Sequence, residues 1–279
     1  MRQIPPAACR PRIAVYNILM LIDTHCHLTY VGLAERQDAV VQHAVAAGVK
    51  RLITIGTHPV DHLPALRTAE KFPEVFAALG IHPQHAHEVE ADFIAPLRDA
   101  ITANRRVVAV GECGLDYHHE SAPADIQKKA FLAQLALADQ LHKPVILHVR
   151  DAHADALAIL RDFRHLRFVV HCFSGTPQEA RQWIELGAYI GFTGIITYKN
   201  APDVRAACQL VPADRLLVET DAPYLCPQPV RKNKTNEPAF VTHVARQVAM
   251  ERGITSEEAA GITTRNAHQL FGLDGFCQS

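Results

Sequence analysis

The chain has almost no excess of charge of either sign, with 28 lysines and arginines against 29 aspartates and glutamates, a net of −1. So even a balance creates no overall field for gathering polyanions, so any affinity for nucleic acid must come from a local basic patch. No apolar run reaches the roughly 18 residues that a membrane-crossing helix needs, and no membrane partner is expected. The seven cysteines are odd in number and lack zinc-ribbon or disulfide-framework spacing, which points to a reducing, cytoplasmic setting. Neither a serine nucleophile elbow nor a phosphate-cradling glycine loop occurs, and no low-complexity tract or short repeat interrupts the chain. Residues 1–19 hold Arg2, Arg10 and Arg12 without an acid. The apolar stretch from Ile13 runs into a strand-like segment with no small-residue cleavage site, which argues against a signal peptide. A start at Met20 would leave residues 1–19 as a disordered upstream extension and 20–275 as the folded unit.

What is present is a regular alternation. Short β-branched or apolar runs predict eight strands, at Leu21–His27, Arg51–Gly56, Val75–Ile81, Val107–Glu112, Pro144–Val149, Arg167–Cys172, Ala188–Phe192 and Leu216–Thr220. Helical patterns lie between and after them, among them Leu33–Ala47, Ala124–Leu141, Ala152–Phe163, Pro177–Leu186, Ala201–Leu210, Glu237–Arg252 and Ser256–Phe271. Thr176-Pro177 reads as a helix start, a capping hydroxyl before a first-turn proline, and Thr255 or Ser256 with Glu258 reads as another. Repeated βα units imply a parallel sheet. In 279 residues with 48% hydrophobic content, eight such units close most naturally into a single-domain α/β fold, the (β/α)8 TIM barrel. Its active site lies at the carboxyl ends of the strands.

Six potential metal ligands fall at those ends: His25, His27, Glu112, His148, His171 and Asp221. His25 and His27 are two apart, so on an extended strand both imidazoles leave the same face. Glu112 would be costly to bury unpaired, and its two oxygens could bridge two ions. His148 and His171 end apolar strands, where a hydrogen-bonded core histidine is the plainer reading of each alone. Asp221 could serve as ligand, general base or both, and Asp23 could orient a ligand or be structural. Imidazoles and carboxylates together suit one or two divalent ions, Mg²⁺, Mn²⁺ or Zn²⁺, and hence metal-assisted hydrolysis with Asp221 as proton acceptor. Cys26, Cys113 and Cys172 each adjoin a ligand, and strand alternation predicts that all three face the helix layer as small hydrophobes.

Several segments together carry a family resemblance. They are Asp23-Thr-His-Cys-His27, Gly80-Ile-His-Pro83, Gly111-Glu-Cys-Gly-Leu-Asp-Tyr117, His148-Val-Arg150, His171-Cys-Phe-Ser-Gly175, Glu219-Thr-Asp-Ala-Pro-Tyr-Leu225 and Asn236-Glu-Pro238. In this order, from about Leu21 to Gly272, the chain resembles the TatD family of metal-dependent deoxyribonucleases in the amidohydrolase superfamily. The resemblance implies a two-metal site, with His25, His27, Glu112 and Asp221 around one ion and Glu112, His148 and His171 around the other. It further implies phosphodiester hydrolysis, commonly as a 3′-to-5′ exonuclease on single-stranded DNA, and some relatives are associated with removing D-amino acids from tRNA. Family members often carry Arg before Asn-Glu-Pro, whereas this chain has Lys234-Thr235-Asn236. A phosphate contact would thus be lost or moved to Arg231, Lys232 or Lys234. Cys113 replaces the usual aliphatic residue after the glutamate.

A substrate rim can be read from the loops. Arg231, Lys232 and Lys234 follow strand 8 without an acid, and loops after strands 7 and 8 are the habitual phosphate site of this fold. Lys199, Arg150 and His82 would complete a basic rim for a polyanion, and Tyr117, Phe173 and Tyr224 are candidates for stacking on a base. The expected activity is a nuclease on DNA or RNA ends by a monomeric enzyme. The alternatives are a D-aminoacyl-tRNA deacylase, a small-molecule ester or phosphoester hydrolase, and a non-catalytic binding protein with a vestigial metal site.

Overall fold

The computed structural model describes residues 20–119 and 121–273, so the proposed extension at 1–19 lies outside the described residues. The strands are β1 Leu21–Cys26, β2 Val49–Gly56, β3 Val75–Leu79, β4 Val107–Asp116, β5 Val145–Arg150, β6 Phe168–Val170, β7 Tyr189–Phe192 and β8 Leu216–Val218. They form one parallel sheet in sequence order. The ends meet through the parallel bridge Cys26 to Ala222 and the bonds His27 N to Ala222 O and Asp221 N to His25 O. The result is the expected (β/α)8 barrel.

The helices are α1 Gln37–Ala46, α2 Pro59–Lys71, α3 Ile94–Ala103, α4 Ala124–Leu141, α5 His153–Leu160, α6 Pro177–Glu185, α7 Pro202–Leu210, α8 Val241–Arg252 and α9 Ser256–Phe271. Both expected starts carry reciprocal capping boxes, Thr176 with Glu179 and Thr255 with Glu258, each satisfying two orphan donors. The helix expected at Leu33–Ala47 divides into a 3-10 turn, Ala34–Arg36, and α1. The one expected from Glu237 begins as the 3-10 turn Pro238–Phe240 before α8. Among the described residues no helix is long and apolar enough to cross a membrane.

Side-chain alternation separates two cores. Outward residues such as Val75, Ala77, Leu79, Val145 and Leu147 pack against the helices around Phe131 and Trp183. Inward residues Ile22, Ile53, Phe76, Val108, Ile146, Val169 and Leu217 fill the barrel near the amino ends of the strands. There Leu270 and Phe271 of α9 close the floor. Removing a side chain the size of Phe76 from water contributes roughly 2–3 kcal/mol, so this plug is a principal source of stability.

Candidate metal centre

The mouth begins where the inward positions stop being apolar. One residue pair along β5 takes Ile146 to His148. The same step carries β6 from Val169 to His171 and β8 from Leu217 to Glu219. On β4 the register slips between Val110 and Cys113. Gly111 has φ 134° and Gly114 φ 146°, and a Cβ would lie 2.6 Å from Ile146 O at the first and 2.0 Å from His148 O at the second. Only glycine fits both places, and the slip between them directs Glu112 into the mouth.

Five of the expected ligands surround Glu112 or one another closely. His25 Nε2 lies 3.3 Å from His27 Nε2 and 3.3 Å from Glu112 Oε2. Asp221 Oδ1 lies 3.3 Å from His27 Nε2, 3.7 Å from His25 Nε2 and 3.8 Å from His171 Nε2. On the other side of Glu112, Oε1 is 2.8 Å from His148 Nδ1 and 3.7 Å from His171 Nε2. The rings of His25 and His171 stack at 3.4 Å. Among the described residues, three groups are compact enough to hold an ion: His25, His171 and Asp221; His25, His27 and Glu112; and His82, Glu112 and His148.

Carboxylates behind the ring fix the imidazoles, as second partners of metal-ligating histidines do. His171 Nδ1 donates to Glu219 Oε1 at 2.8 Å, leaving Nε2 for the centre. Thr24 Oγ1 and the Cys172 amide hold Glu219 in turn. His148 Nε2 donates to Asp116 Oδ2 at 3.1 Å, leaving Nδ1 facing Glu112. Asp116 also accepts from Gln84 Nε2 and the amides of His118 and His119. Asp23 accepts from Thr220 N and Thr220 Oγ1 and so ties β1 to the loop bearing Asp221. Glu219 and Asp116 escaped the reading of the sequence. Glu219 carried a usable signal, since it lies two residues before Asp221 and two after the inward Leu217.

The electrostatics fit a cation. Burial pushes the Glu112 carboxyl up, but His25, His171, His82 and the His148 hydrogen bond outweigh it and hold the group well below the usual carboxylate range. Asp221 is likewise lowered against burial by His27, His171 and His25. Burial lowers His171, yet Glu219, Glu112 and Asp221 prevail and raise it to about 10. Buried carboxylates thus demand positive charge at the centre. His25 and His27 meanwhile turn two Nε2 atoms toward each other, an approach that at most one proton could bridge. A divalent ion satisfies both demands.

His82 differs from the other imidazoles. Its Nδ1 accepts the Gln84 amide at 3.1 Å, and burial and then His148 push it down to about 3. The neutral ring therefore carries its proton on Nε2, 3.6 Å from Glu112 Oε1. It is arranged as a donor, although it stands within ligand distance.

A cavity of about 470 Å³ opens over the centre, lined in part by His27, Glu112, His148, Arg150, Asp221 and Tyr224. Arg150 and His82 therefore reach the cavity, whereas Lys199, Arg231, Lys232 and Lys234 lie exposed on the loops after β7 and β8 and do not line it. The Arg231 guanidinium lies 4.2 Å over the Tyr198 ring and links those two loops. Two expectations are corrected. Cys26 and Cys113 do pack with the helix layer, but Cys172 lines the cavity. β6 ends at Val170 and Cys172 has φ 48°, so strand parity fails there. The inversion sends Phe173 into the helix layer instead, 1% exposed and 6.4 Å from Phe192, which removes it as a stacking platform. Tyr117 donates to Asp155 in a neighbouring cleft.

The family model for TatD related DNases matches residues 22–272. The chain belongs to the TatD family. Among its relatives are the uncharacterized metal-dependent hydrolase YabD of Bacillus subtilis, 38% identical over 91% of this chain and 100% of that one, and the 3′-5′ ssDNA/RNA exonuclease TatD of Erwinia tasmaniensis, 38% identical with the same coverage. The crystal structure of the TatD homologue YJJV from Escherichia coli K12 superposes with a TM-score of 0.86 at 32% identity, covering 91% of this chain and 99% of that one. This TatD-family protein is accordingly a metal-dependent hydrolase, with its candidate ion-holding groups at the place the fold reserves for catalysis. The family's Asn-Glu-Pro segment has a structural task here. Asn236 Nδ2 donates to Thr220 O and Tyr224 O and so clamps the loop that carries Asp221.

Proposed function

We propose that the protein hydrolyses phosphodiester bonds at the ends of single-stranded DNA or RNA, removing nucleotides in the 3′-to-5′ direction. The observation that carries this reading is the ring of His25, His27, His148 and His171 around Glu112 and Asp221 at the barrel mouth. The relatives named as ssDNA/RNA exonucleases support it. His25, His27, Glu112, His148, His171 and Asp221 would hold the divalent metal, which would supply the charge that activates water and neutralises the phosphate. Mg²⁺ or Mn²⁺ suits phosphodiester chemistry, and Zn²⁺ suits the imidazoles.

The chain's own residues supply the rest. Asp221 is ionised at neutral pH because its histidine neighbours outweigh burial, so it accepts the proton of the attacking water. The Nε2–H of His82 donates to a phosphoryl oxygen, and Arg150 on the cavity wall binds the same phosphate. Arg231, Lys232, Lys234 and Lys199 guide the remaining strand across the rim through its phosphates.

The test is a time course on 3′-labelled and 5′-labelled single-stranded DNA and RNA. It uses metal-stripped protein resupplied with Mg²⁺, Mn²⁺ or Zn²⁺, and a Glu112→Ala control. Metal-dependent release from the 3′ end, absent in the variant, is the expected result. Equal inactivity of both proteins with every metal would sink the reading and make a D-aminoacyl-tRNA the next substrate to try.

A further inference from the structure

The cavity has two unlike walls. Gln84, His119 and Arg150 bring polar groups from the loops after β3 and β4 and the end of β5, while Ile195, Tyr224 and Leu225 bring apolar surface from the loops after β7 and β8. Tyr224 is 54% exposed. Its ring meets those of His27 and Tyr30 at 6.3 Å, inclined by 68° and 79°. Among the described residues, no ring stacks flat against it.

This apolar face is held in place from several directions. Tyr224 N donates to Asp221 O, so the wall and the proton acceptor share one turn. Asn236 Nδ2 donates to Tyr224 O, and Tyr198 Oη donates to Cys226 O. Leu225 has φ 55°, a left-handed conformation that a branched side chain rarely adopts. Gly194 permits it by close approach, since a Cβ there would lie 1.9 Å from Leu225 O. Strained backbone persists where the surroundings over-determine it, and such places cluster at ligand sites. A braced apolar face with an accessible aromatic ring beside the candidate metal centre suits a flat, apolar-faced ligand group.

We infer that Tyr224, Leu225 and Ile195 form a subsite for the face of an unpaired nucleobase next to the scissile phosphate. The inference rests on the phosphodiester reading above and deepens it by naming what selects the end. Stacking of a base on an aromatic ring tolerates any sequence and is worth roughly one to two orders of magnitude in affinity. A base inside a duplex already has both faces stacked, so the subsite prefers frayed or single-stranded ends. The requirement is thus for a base of any identity, and an end lacking a base should be recognised poorly.

The experiment compares two single-stranded DNA oligomers, identical except that one carries an abasic residue at its 3′ terminus. Steady-state constants are measured for wild type, Tyr224→Ala and Tyr224→Phe, with thermal melting as the folding control. Expected for wild type is a KM about 10-fold higher on the abasic end, with kcat changed far less. Tyr224→Ala should raise KM about 10-fold on the normal end only, abolishing the discrimination, whereas Tyr224→Phe, which keeps the ring, should preserve it. Equal use of both ends by wild type would overturn the inference while leaving the nuclease reading intact. So would a Tyr224→Ala protein that still discriminates. If Tyr224→Ala does not melt as a folded protein, Tyr224→Leu, which fills the space without a ring, takes its place with the same expected loss of discrimination and the same overturning result. Cleavage of neither oligomer by wild type would bring down the phosphodiester reading and the subsite with it.

Discussion

The floor and the mouth of this barrel are built by the same strands with the same alternation of side chains, and they differ in almost everything else. At the floor, Phe76, Ile146, Val169 and Leu217 converge under the lid of Leu270 and Phe271. Two residues further along, His148, His171 and Glu219 take the inward positions. The floor gains free energy from every inward side chain it removes from water. The mouth must offset the desolvation of its charges by pairing them, and Glu112, Glu219 and Asp221 stay ionised against burial through the histidines around them. Its cohesion is electrostatic where that of the floor is apolar.

Breaking the mouth should remove activity without removing the fold. Glu112→Ala is expected to lower phosphodiester turnover by on the order of 10³-fold or more and to reduce the bound metal measured by elemental analysis. Its melting temperature after metal stripping should fall, since the histidines paired with the carboxylate lose that partner. Breaking the floor should do the reverse. Phe76→Ala should cost about 3–5 kcal/mol in denaturant unfolding and leave the specific activity of the folded fraction near that of wild type.

A gentler change tests the layer between them. Glu219→Gln keeps the shape but weakens the grip on His171 Nδ1. A loss of roughly 10–100-fold in metal affinity or activity is expected, read by metal titration alongside kinetics.

The metal-stripped protein offers a pH test. His171 is raised to about 10, so its contribution to stability is complete below the unfolded value of about 6.5 and is lost as pH rises through about 10. The denaturation midpoint should therefore fall from pH 7 to pH 10, and His171→Asn should flatten that slope. The smallest effect belongs to neither end. Thr255→Ala removes the cap of α9 and should cost about 1 kcal/mol, seen as a melting temperature lower by a few degrees, with activity unaffected.

Much of this arrangement was legible because it obeys short periods. His25 and His27 share a face by their spacing, the strand order follows from repeated βα units, and Thr176 and Thr255 announce their helices. The reading failed where the backbone leaves those periods. Cys172, at φ 48°, inverts the parity of its strand end, exchanging the expected places of Cys172 and Phe173. Asp116 lies beyond the slip at Gly111 and Gly114, so counting residues could not bring it to His148. The basic residues Arg231, Lys232 and Lys234 have no period at all, and their distance from the cavity follows from the path of a loop.

The sequence by itself determined the barrel and the chemical character of the centre, because alternation and donor type are local properties. Which nitrogen of each imidazole is left facing the centre was decided only in three dimensions. His82 turns Nε2 toward Glu112 while Gln84 N donates to its Nδ1, and His171 presents Nε2 because Glu219, 48 residues away in the chain, takes its other nitrogen. A proton's place depends on the partners that surround a ring, and the closing of the barrel supplies those partners.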